Sequence, residues 1–282
     1  MKNIGIIANA SRDIGLAYTK ELIQWLEEKG CVPLVSELTA NAVSCGVPCK
    51  TSEELYEKAD FIVVLGGDGT ILRYARHTAK YSLPILGINF GTLGYLCDVE
   101  RSDAKTAINA VINGKYTVEE RMLLDVKHIR NDEVKCSCLA LNEVYVSNEK
   151  ALNIANLEMY INDSFINVFR ADGIIVATPT GSTAYNLSAG GPILKPDTRL
   201  MAVTSVCAHN LYSRPFVLSG EDSVTIKILD DTEMQFSVDG AERVPVKKYD
   251  CVKITGSQLG VKTIKTSNRS FYDTLRYKMM GN

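Results

Sequence analysis

The sequence predicts an α/β domain followed by an antiparallel β-sandwich domain, and three observations carry that reading. Up to about residue 117, short runs that are apolar at every position alternate with helical patterns, as parallel strands covered on both faces require. From residue 118 the apolar runs crowd together, separated by turn residues and without long helices, as in a sandwich. The 282 residues are enough for two such cores. The domains are therefore drawn at 1–117 and 118–265.

In the first half, Ile4–Ala8 reads as a strand followed by the loop Asn9–Asp13. Ile14–Lys29 has helical spacing, with Leu22, Ile23 and Leu26 on one face and Gly30 placed to end it. Val32–Val35 is a second strand, residues 38–50 lack periodicity and read as loop, and Thr51-Ser52-Glu53-Glu54 opens a short helix as a capping box. Phe61–Leu65 is a buried strand running into Gly66-Gly67-Asp68-Gly69-Thr70, after which Thr70–Lys80 is helical. Such a strand, glycine-rich turn and helix start offer unpaired N–H groups and a helix dipole to phosphate oxygens. Asp68 fits either an N-cap or a group serving a hydroxyl or a metal, since a carboxylate repels phosphate. As a cap it would tolerate Asn, as a base it would not, and in either case Asn should leave the melting temperature near native. Pro84–Ile88 is another strand, ending in a second glycine-rich loop at 91–94, and Asp103–Ile112 is a last helix. Both glycine-rich loops fall at carboxyl ends of parallel strands, where such sheets bind ligands.

In the second half, Leu123–Ile129, Val134–Val146, Leu157–Ile161, Phe165–Arg170 and Ile174–Ala177 are strand-like, with turns at Asn131-Asp132 and Asn162-Asp163. Met201–Val206, Ser223–Ile228, Gln235–Val238 and Val252–Ile254 continue the pattern, and Phe271–Lys278 reads as a closing helix. The stretch Thr178–Pro192 is crowded with hydroxyls and glycines and carries no charge. Its Tyr185 offers a flat face to a base and its hydroxyls offer donors to sugar or phosphate. Asn142-Glu143 and Arg170-Ala171-Asp172-Gly173 are further polar clusters at strand ends, and Arg170 has the forked donors that suit a diphosphate. His209 and Arg214 read as structural.

Composition excludes several classes. With 46% hydrophobic and 23% charged residues and a net charge of −2, no basic field points to nucleic acid or an anionic membrane. No apolar run reaches the length of a membrane span, so a cytoplasmic address is expected. Eight cysteines without C-x-x-C and three histidines read as reduced thiols rather than a metal framework, and no His/Cys metal site is assigned. Neither a lysine-bearing P-loop nor G-x-G-x-x-G after a strand is present.

Gly66–Thr70, Asn142-Glu143, Asp172-Gly173, Thr178–Pro192, His209-Asn210-Leu211 with Arg214-Pro215, and Val238-Asp239-Gly240 together resemble the NAD kinase family. The resemblance implies a Rossmann-like, phosphofructokinase-like N-terminal α/β domain, a C-terminal β-sandwich, and a tail, 266–282, that returns to the first domain. It implies transfer of the γ-phosphoryl of ATP to the 2′-hydroxyl of the adenosine ribose of NAD. By similarity Asp68 would be the general base, with Gly69 and Arg73 in the nucleotide-binding region and Asn142 and Glu143 on the acceptor. Arg170 and Asp172 would line the diphosphate and nicotinamide side, and Thr183, Ala184, Tyr185, Asn186, Leu187 and Ser188 the adenosine side. A divalent cation, Mg²⁺ or Mn²⁺, and a homo-oligomer, dimer or tetramer, are implied as well; inorganic polyphosphate is an alternative donor.

Two positions depart from the pattern: Ala208 stands where many relatives have Pro, and Ala241 where many have Gln. Both bear on fine selectivity. Two rivals share features of the chain. Diacylglycerol- and sphingosine-type lipid kinases also begin with GGDGT, but continue with Asn-Glu where Ile71-Leu72 stand here. A catalytically silent dinucleotide sensor would lack turnover.

Overall fold

Phe61–Gly66 is buried at every position, and this strand lies inside the sheet of the first of two units. The computed structural model describes residues 1–97, 99–149, 154–209 and 213–280. One unit comprises Met1–Glu120 and Val261–Asn282, the other Arg121–Gly260.

In the first unit, β1 (Asn3–Ala8), β2 (Val32–Ser36), β3 (Val47–Cys49), β4 (Phe61–Gly66) and β5 (Ile85–Asn89) run parallel in the order β3-β2-β1-β4-β5. The short strand β6 (Val99–Glu100) pairs with β5. Helices α1 (Ala17–Glu28), α2 (Glu37–Val43), α3 (Ser52–Lys58), α4 (Asp68–Ala79) and α5 (Ala104–Ile112) connect and flank the strands. One face packs Ile4, Ile6, Val63 and Leu65 against Leu22 and Leu26 of α1 and Ile108 of α5. The chain winds outward from β1 to β3, then crosses back to β4 and continues the other way. The strand order therefore reverses between β1 and β4, the place where an open α/β sheet leaves a crevice.

Residues 38–50, expected as loop, instead form most of α2 and all of β3. Helix α2 is one short element with only Val43 buried, so it carries no stripe for periodicity to detect. Its start is fixed by Ser36, whose hydroxyl accepts the Thr39 N–H at 3.2 Å. Helix α1 begins at Ala17, with Asp13 buried beneath it and accepting the Tyr18 and Thr19 amides at 3.0 and 2.8 Å. The closing helix spans Phe271–Met280 and sets Phe271 5.9 Å from Tyr95.

The second unit is an antiparallel sandwich. Its strands are β7 (Thr117–Arg130), β8 (Glu133–Ala140), β9 (Glu143–Asn148), β10 (Ala155–Ile161), β11 (Ser164–Ala171), β12 (Gly173–Ala177), β13 (Leu200–Val206), β14 (Phe216–Ser219), β15 (Ser223–Ile228), β16 (Met234–Val238), β17 (Glu242–Val246) and β18 (Cys251–Lys265). One layer orders β11-β10-β15-β18 and adds the hairpin β7-β8; the other orders β14-β13-β12-β9-β16-β17. Leu124, Leu157, Val224 and Ile254 from the first layer meet Val146, Val176, Val203 and Phe236 from the second in one core, as alternation along facing sheets dictates. The hairpin turns at Asn131-Asp132 and Asn162-Asp163 have positive φ at both residues, which Asn and Asp tolerate. The run 134–146, expected as one strand, is broken at Leu141-Asn142 into β8 and β9. Among the described residues, no helix is long and apolar enough to cross a membrane.

At one end of the sandwich Asp250, 1% exposed, collects His128 Nε2 at 2.7 Å, both Nε and Nη2 of Arg130 at 2.8 and 2.7 Å, and the Lys247 amide at 2.8 Å. Burial pushes its pKa up, but the bonds from Arg130, Lys247 and His128 outweigh this and hold it at about 2. Because the folded value lies below the ordinary one, this stabilisation is present above pH 4 and is lost as pH falls through about 2. Asp250→Asn is therefore expected to lower stability at pH 7 by about 3–5 kcal/mol, the cost of stripping one partner from a buried pair. Urea denaturation of parent and variant checks this, and an unchanged midpoint would show that the cluster contributes nothing.

Candidate active site

The crevice between the ends of β1 and β4 holds a cavity of about 370 Å³. Asn9 and Arg12, from the loop after β1, face Gly67, Gly69, Thr70 and Arg73 across it. Asn9 Nδ2 donates to Thr70 Oγ1 at 3.1 Å and ties the two loops together. Helix α4 starts here, so its first amides and two guanidinium groups meet in one cavity with no carboxylate in its lining. The arrangement suits a polyanion. Gly67 and Gly69 leave open space where a Cβ would stand, so the backbone itself forms this wall.

Asp68 does not cap α4. Its carboxylate turns to the second glycine-rich loop, where Oδ2 accepts the Tyr95 amide at 2.6 Å and Oδ1 those of Leu96 and Cys97 at 3.0 Å each. Gly94 must be glycine for this, because a Cβ there would lie 1.9 Å from Asp68 Oδ1. One acceptor position remains on Oδ2. Asn in this place would present N–H groups to N–H groups, so the expectation that Asn substitution is structurally silent is corrected. The loop is backed by Phe271 of the closing helix and by Lys278, whose Nζ lies 5.2 Å from the Tyr95 ring centre.

In the second unit, Asn142 and Glu143 sit at the break between β8 and β9. The Asp239 carboxylate accepts the amides of Leu141, Asn142 and Glu143 at 3.0, 2.7 and 3.2 Å, from a backbone at φ +51°. Gly181 presses on the same break, since a Cβ there would stand 2.0 Å from the Asn142 carbonyl oxygen. Glu143 is 7% exposed, and its Oε2 has no hydrogen-bond partner. Burial, with the charge of Asp239 second, pushes its pKa up to about 7. Buried and unpartnered, a carboxylate of this kind is poised for a ligand hydroxyl.

The hydroxyl-rich stretch divides into two roles. Thr178, Ser182 and Asn186 are fully buried. Thr178 Oγ1 donates to the Leu141 carbonyl, Ser182 Oγ to that of Pro179, and Asn186 Nδ2 to that of Pro192 at 3.1 Å while its Oδ1 accepts from Thr204. These groups stitch the loop rather than wait for sugar or phosphate. Thr183, Ala184 and Leu187 are half-buried, and Ser188 is exposed. Tyr185 is 41% exposed and meets Tyr145 edge-on at 5.2 Å, leaving ring surface for a ligand. Arg170 is exposed and Asp172 half-buried at the end of β11 and just beyond it. Asn210 and Leu211 lie outside the described residues.

Two residues escaped the sequence reading. Arg12 and Asn9 follow a parallel strand directly, and that position was the available signal. Asp239 was marked by resemblance, but its grip on the β8–β9 break was not.

Residues 4–116 match the family model for the ATP-NAD kinase N-terminal domain and residues 141–266 that for the C-terminal domain. The chain is 36% identical over 280 residues to the NAD kinase of Caldanaerobacter subterraneus subsp. tengcongensis, with 99% of each chain covered. Its fold is similar to that of yeast NADH kinase complexed with NADH, at a TM-score of 0.90 and 24% identity over 100% of this chain and 88% of that one. It is also similar to an NAD kinase from Archaeoglobus fulgidus in complex with ATP, at a TM-score of 0.76 and 23% identity over 99% and 98%.

The raised pKa of Glu143 bears on stability. A carboxyl whose folded pKa is about 7 favours the folded state fully below its ordinary value near 4.5, and that advantage is lost as pH rises through about 7. Glu143→Gln removes the titration, so its stability relative to the parent should rise by about 3 kcal/mol between pH 5 and pH 8.5. Melting temperatures at the two pH values check this; parallel pH dependence in both proteins would exclude a buried, raised carboxyl.

Proposed function

The chain belongs to the NAD kinase family, and on that premise we propose that it transfers the γ-phosphoryl of ATP to the 2′-hydroxyl of the adenosine ribose of NAD, giving NADP. The observation that carries this reading is the relationship to an NAD kinase along 99% of the chain. That relationship leaves the lipid-kinase alternative behind, and turnover of NAD would exclude a silent sensor.

Phosphoryl transfer needs alignment and charge neutralisation more than covalent help. With no P-loop lysine, the first amides of α4 with Arg12 and Arg73 offset the phosphate charge. Asp68, fixed by the amides of Tyr95, Leu96 and Cys97, accepts the 2′-hydroxyl proton on the acceptor position left on Oδ2. Asn142 and Glu143 hold acceptor hydroxyls, Arg170 and Asp172 take the diphosphate and nicotinamide side, and Tyr185 stacks on the adenine. Among the described residues no three His, Cys, Asp or Glu side chains converge to hold a metal ion. A divalent cation, Mg²⁺ or Mn²⁺, would accompany the ATP and offset part of the phosphate charge in concert with Arg12 and Arg73. The proposal extends, through the family, to a cytoplasmic homo-oligomer.

Two outcomes test it. NADP should form from NAD, ATP and Mg²⁺ and stop in excess chelator. Full activity in chelator would remove the metal, no NADP with either ATP or polyphosphate would remove the reaction, and polyphosphate alone would change the donor. Asp68→Asn should lower kcat by about 10²–10⁴, the usual cost of losing a general base. Unlike a cap replacement, it should also lower the melting temperature, because the loop amides lose an acceptor. A kcat within about threefold of the parent would leave Asp68 a loop anchor only.

A further inference from the structure

A second cavity, of about 170 Å³, lies beside the switch-point crevice in the same unit. Ala8 and Tyr74 belong to the walls of both cavities, so the two adjoin along the carboxyl ends of β1, β2 and β3. They differ in character. The crevice carries Arg12, Arg73 and the start of α4. In the second cavity Ile7, Leu55, Tyr56 and Tyr74 supply apolar and aromatic surface. Tyr56 is 4% exposed and its ring is braced by Tyr81 at 5.6 Å, which makes this wall rigid.

Hydroxyls complete the second cavity. Ser36 Oγ accepts the Thr39 amide at 3.2 Å and Thr51 Oγ1 accepts the Glu54 amide at 3.1 Å, and both side chains line the space. A hydroxyl that caps a helix uses a lone pair and keeps its proton, so Thr51 can still donate, while Ser36 Oγ and Thr39 Oγ1 share a hydrogen bond at 3.0 Å that leaves one proton between them for a ligand. Lys50 adds a cation and no carboxylate lines the cavity.

We infer that the second cavity seats the nucleoside of the triphosphate donor, with its phosphates running past Tyr74 into the crevice. The base lies against Tyr56, Tyr74 and Leu55, and the ribose meets the hydroxyls of Ser36 and Thr51. A nucleoside triphosphate has one flat, weakly polar end and one densely anionic end, and the two adjoining cavities offer surfaces that match each. Doubly wound sheets favour the same layout, because phosphates sit at the switch point and the rest of the ligand extends over neighbouring strand ends. The inference rests on the proposed kinase reaction, whose donor is ATP; no residue of this cavity was assigned to a ligand by sequence.

The test fills the cavity. Ser52 lines it and is exposed in the first turn of α3, where its side chain also bonds to Tyr56, so Ser52→Trp brings a ring into the space and is read beside Ser52→Ala, which removes that bond alone. The KM for ATP should rise about tenfold or more while kcat at saturating ATP and the KM for NAD stay within about threefold, the pattern of lost uniform binding. Inorganic tripolyphosphate, which has no nucleoside, should inhibit parent and variant with the same Ki against ATP. An unchanged KM for ATP, or an equal loss of tripolyphosphate binding, would overturn the assignment. If Ser52→Trp fails to reach the parent's melting temperature, Thr39→Trp is read instead. Photolabelling of the parent protein with 8-azido-ATP needs no turnover: label on peptides holding Tyr56 or Tyr74 is expected, and label confined elsewhere overturns the seat. Labelling in the cavity without NADP formation would sink the kinase reading and leave the nucleoside seat standing.

Discussion

Two aspartates grip three consecutive backbone amides each, and the loops that line the candidate site depend on those grips. Asp68 holds Tyr95 to Cys97 in the first unit, and Asp239 holds Leu141 to Glu143 in the second. The constraint behind both is that a peptide N–H taken from water must find an acceptor. Where the chain turns to face a ligand it has no neighbouring strand to supply one. A carboxylate can accept several donors at once, and amides aimed at it offset its charge. The same bonds that satisfy the loop therefore immobilise the carboxylate. For Asp68 that means a carboxylate held in position before any substrate arrives, which on the proposed mechanism lowers the reorganisation that proton transfer requires.

The stretch around Gly181 shows the complementary solution. A polar segment without charges sounds like a ligand loop, yet Thr178, Ser182 and Asn186 face inward. Their side chains accept and donate within the loop and to the β8–β9 break. What remains for a ligand is the outer surface, dominated by Tyr185. The division follows from solvent: a hydroxyl in the core must bond to the backbone, while one at the surface can exchange water for substrate.

Much of the fold was legible because burial on both faces leaves an unmistakable trace. Ile4–Ala8, Phe61–Leu65 and Pro84–Ile88 are continuous apolar runs, and each lies on a parallel strand. Edge elements left weaker traces. Strands β14 and β17 are half exposed, and α2 buries one residue, so hydrophobic pattern alone could not separate them from loop. The glycine-rich turn at Gly66–Thr70 was legible as the passage from a buried strand to a helix. The partners of Asp68 were not, because they are main-chain groups 27 to 29 positions away and a backbone amide has no residue signature. Arg12 was hidden for a related reason: only the reversal of strand order between β1 and β4 brings its loop to the crevice.

The chain's return also sets an order of events. The first unit is discontinuous, since it needs Val261–Asn282 as well as Met1–Glu120, and Thr263 extends its sheet beside Ile85. The second unit is one uninterrupted segment. On the ribosome, where domains usually form as they emerge, the unit that begins first cannot be the unit that finishes first. The sandwich segment is complete while the parallel sheet still lacks residues 261–265 and the helix that backs the Asp68 loop. Support of that loop is thereby deferred until residues 261–280 have been made, so a chain cut short before them carries the sandwich segment but not the backing of the Asp68 loop.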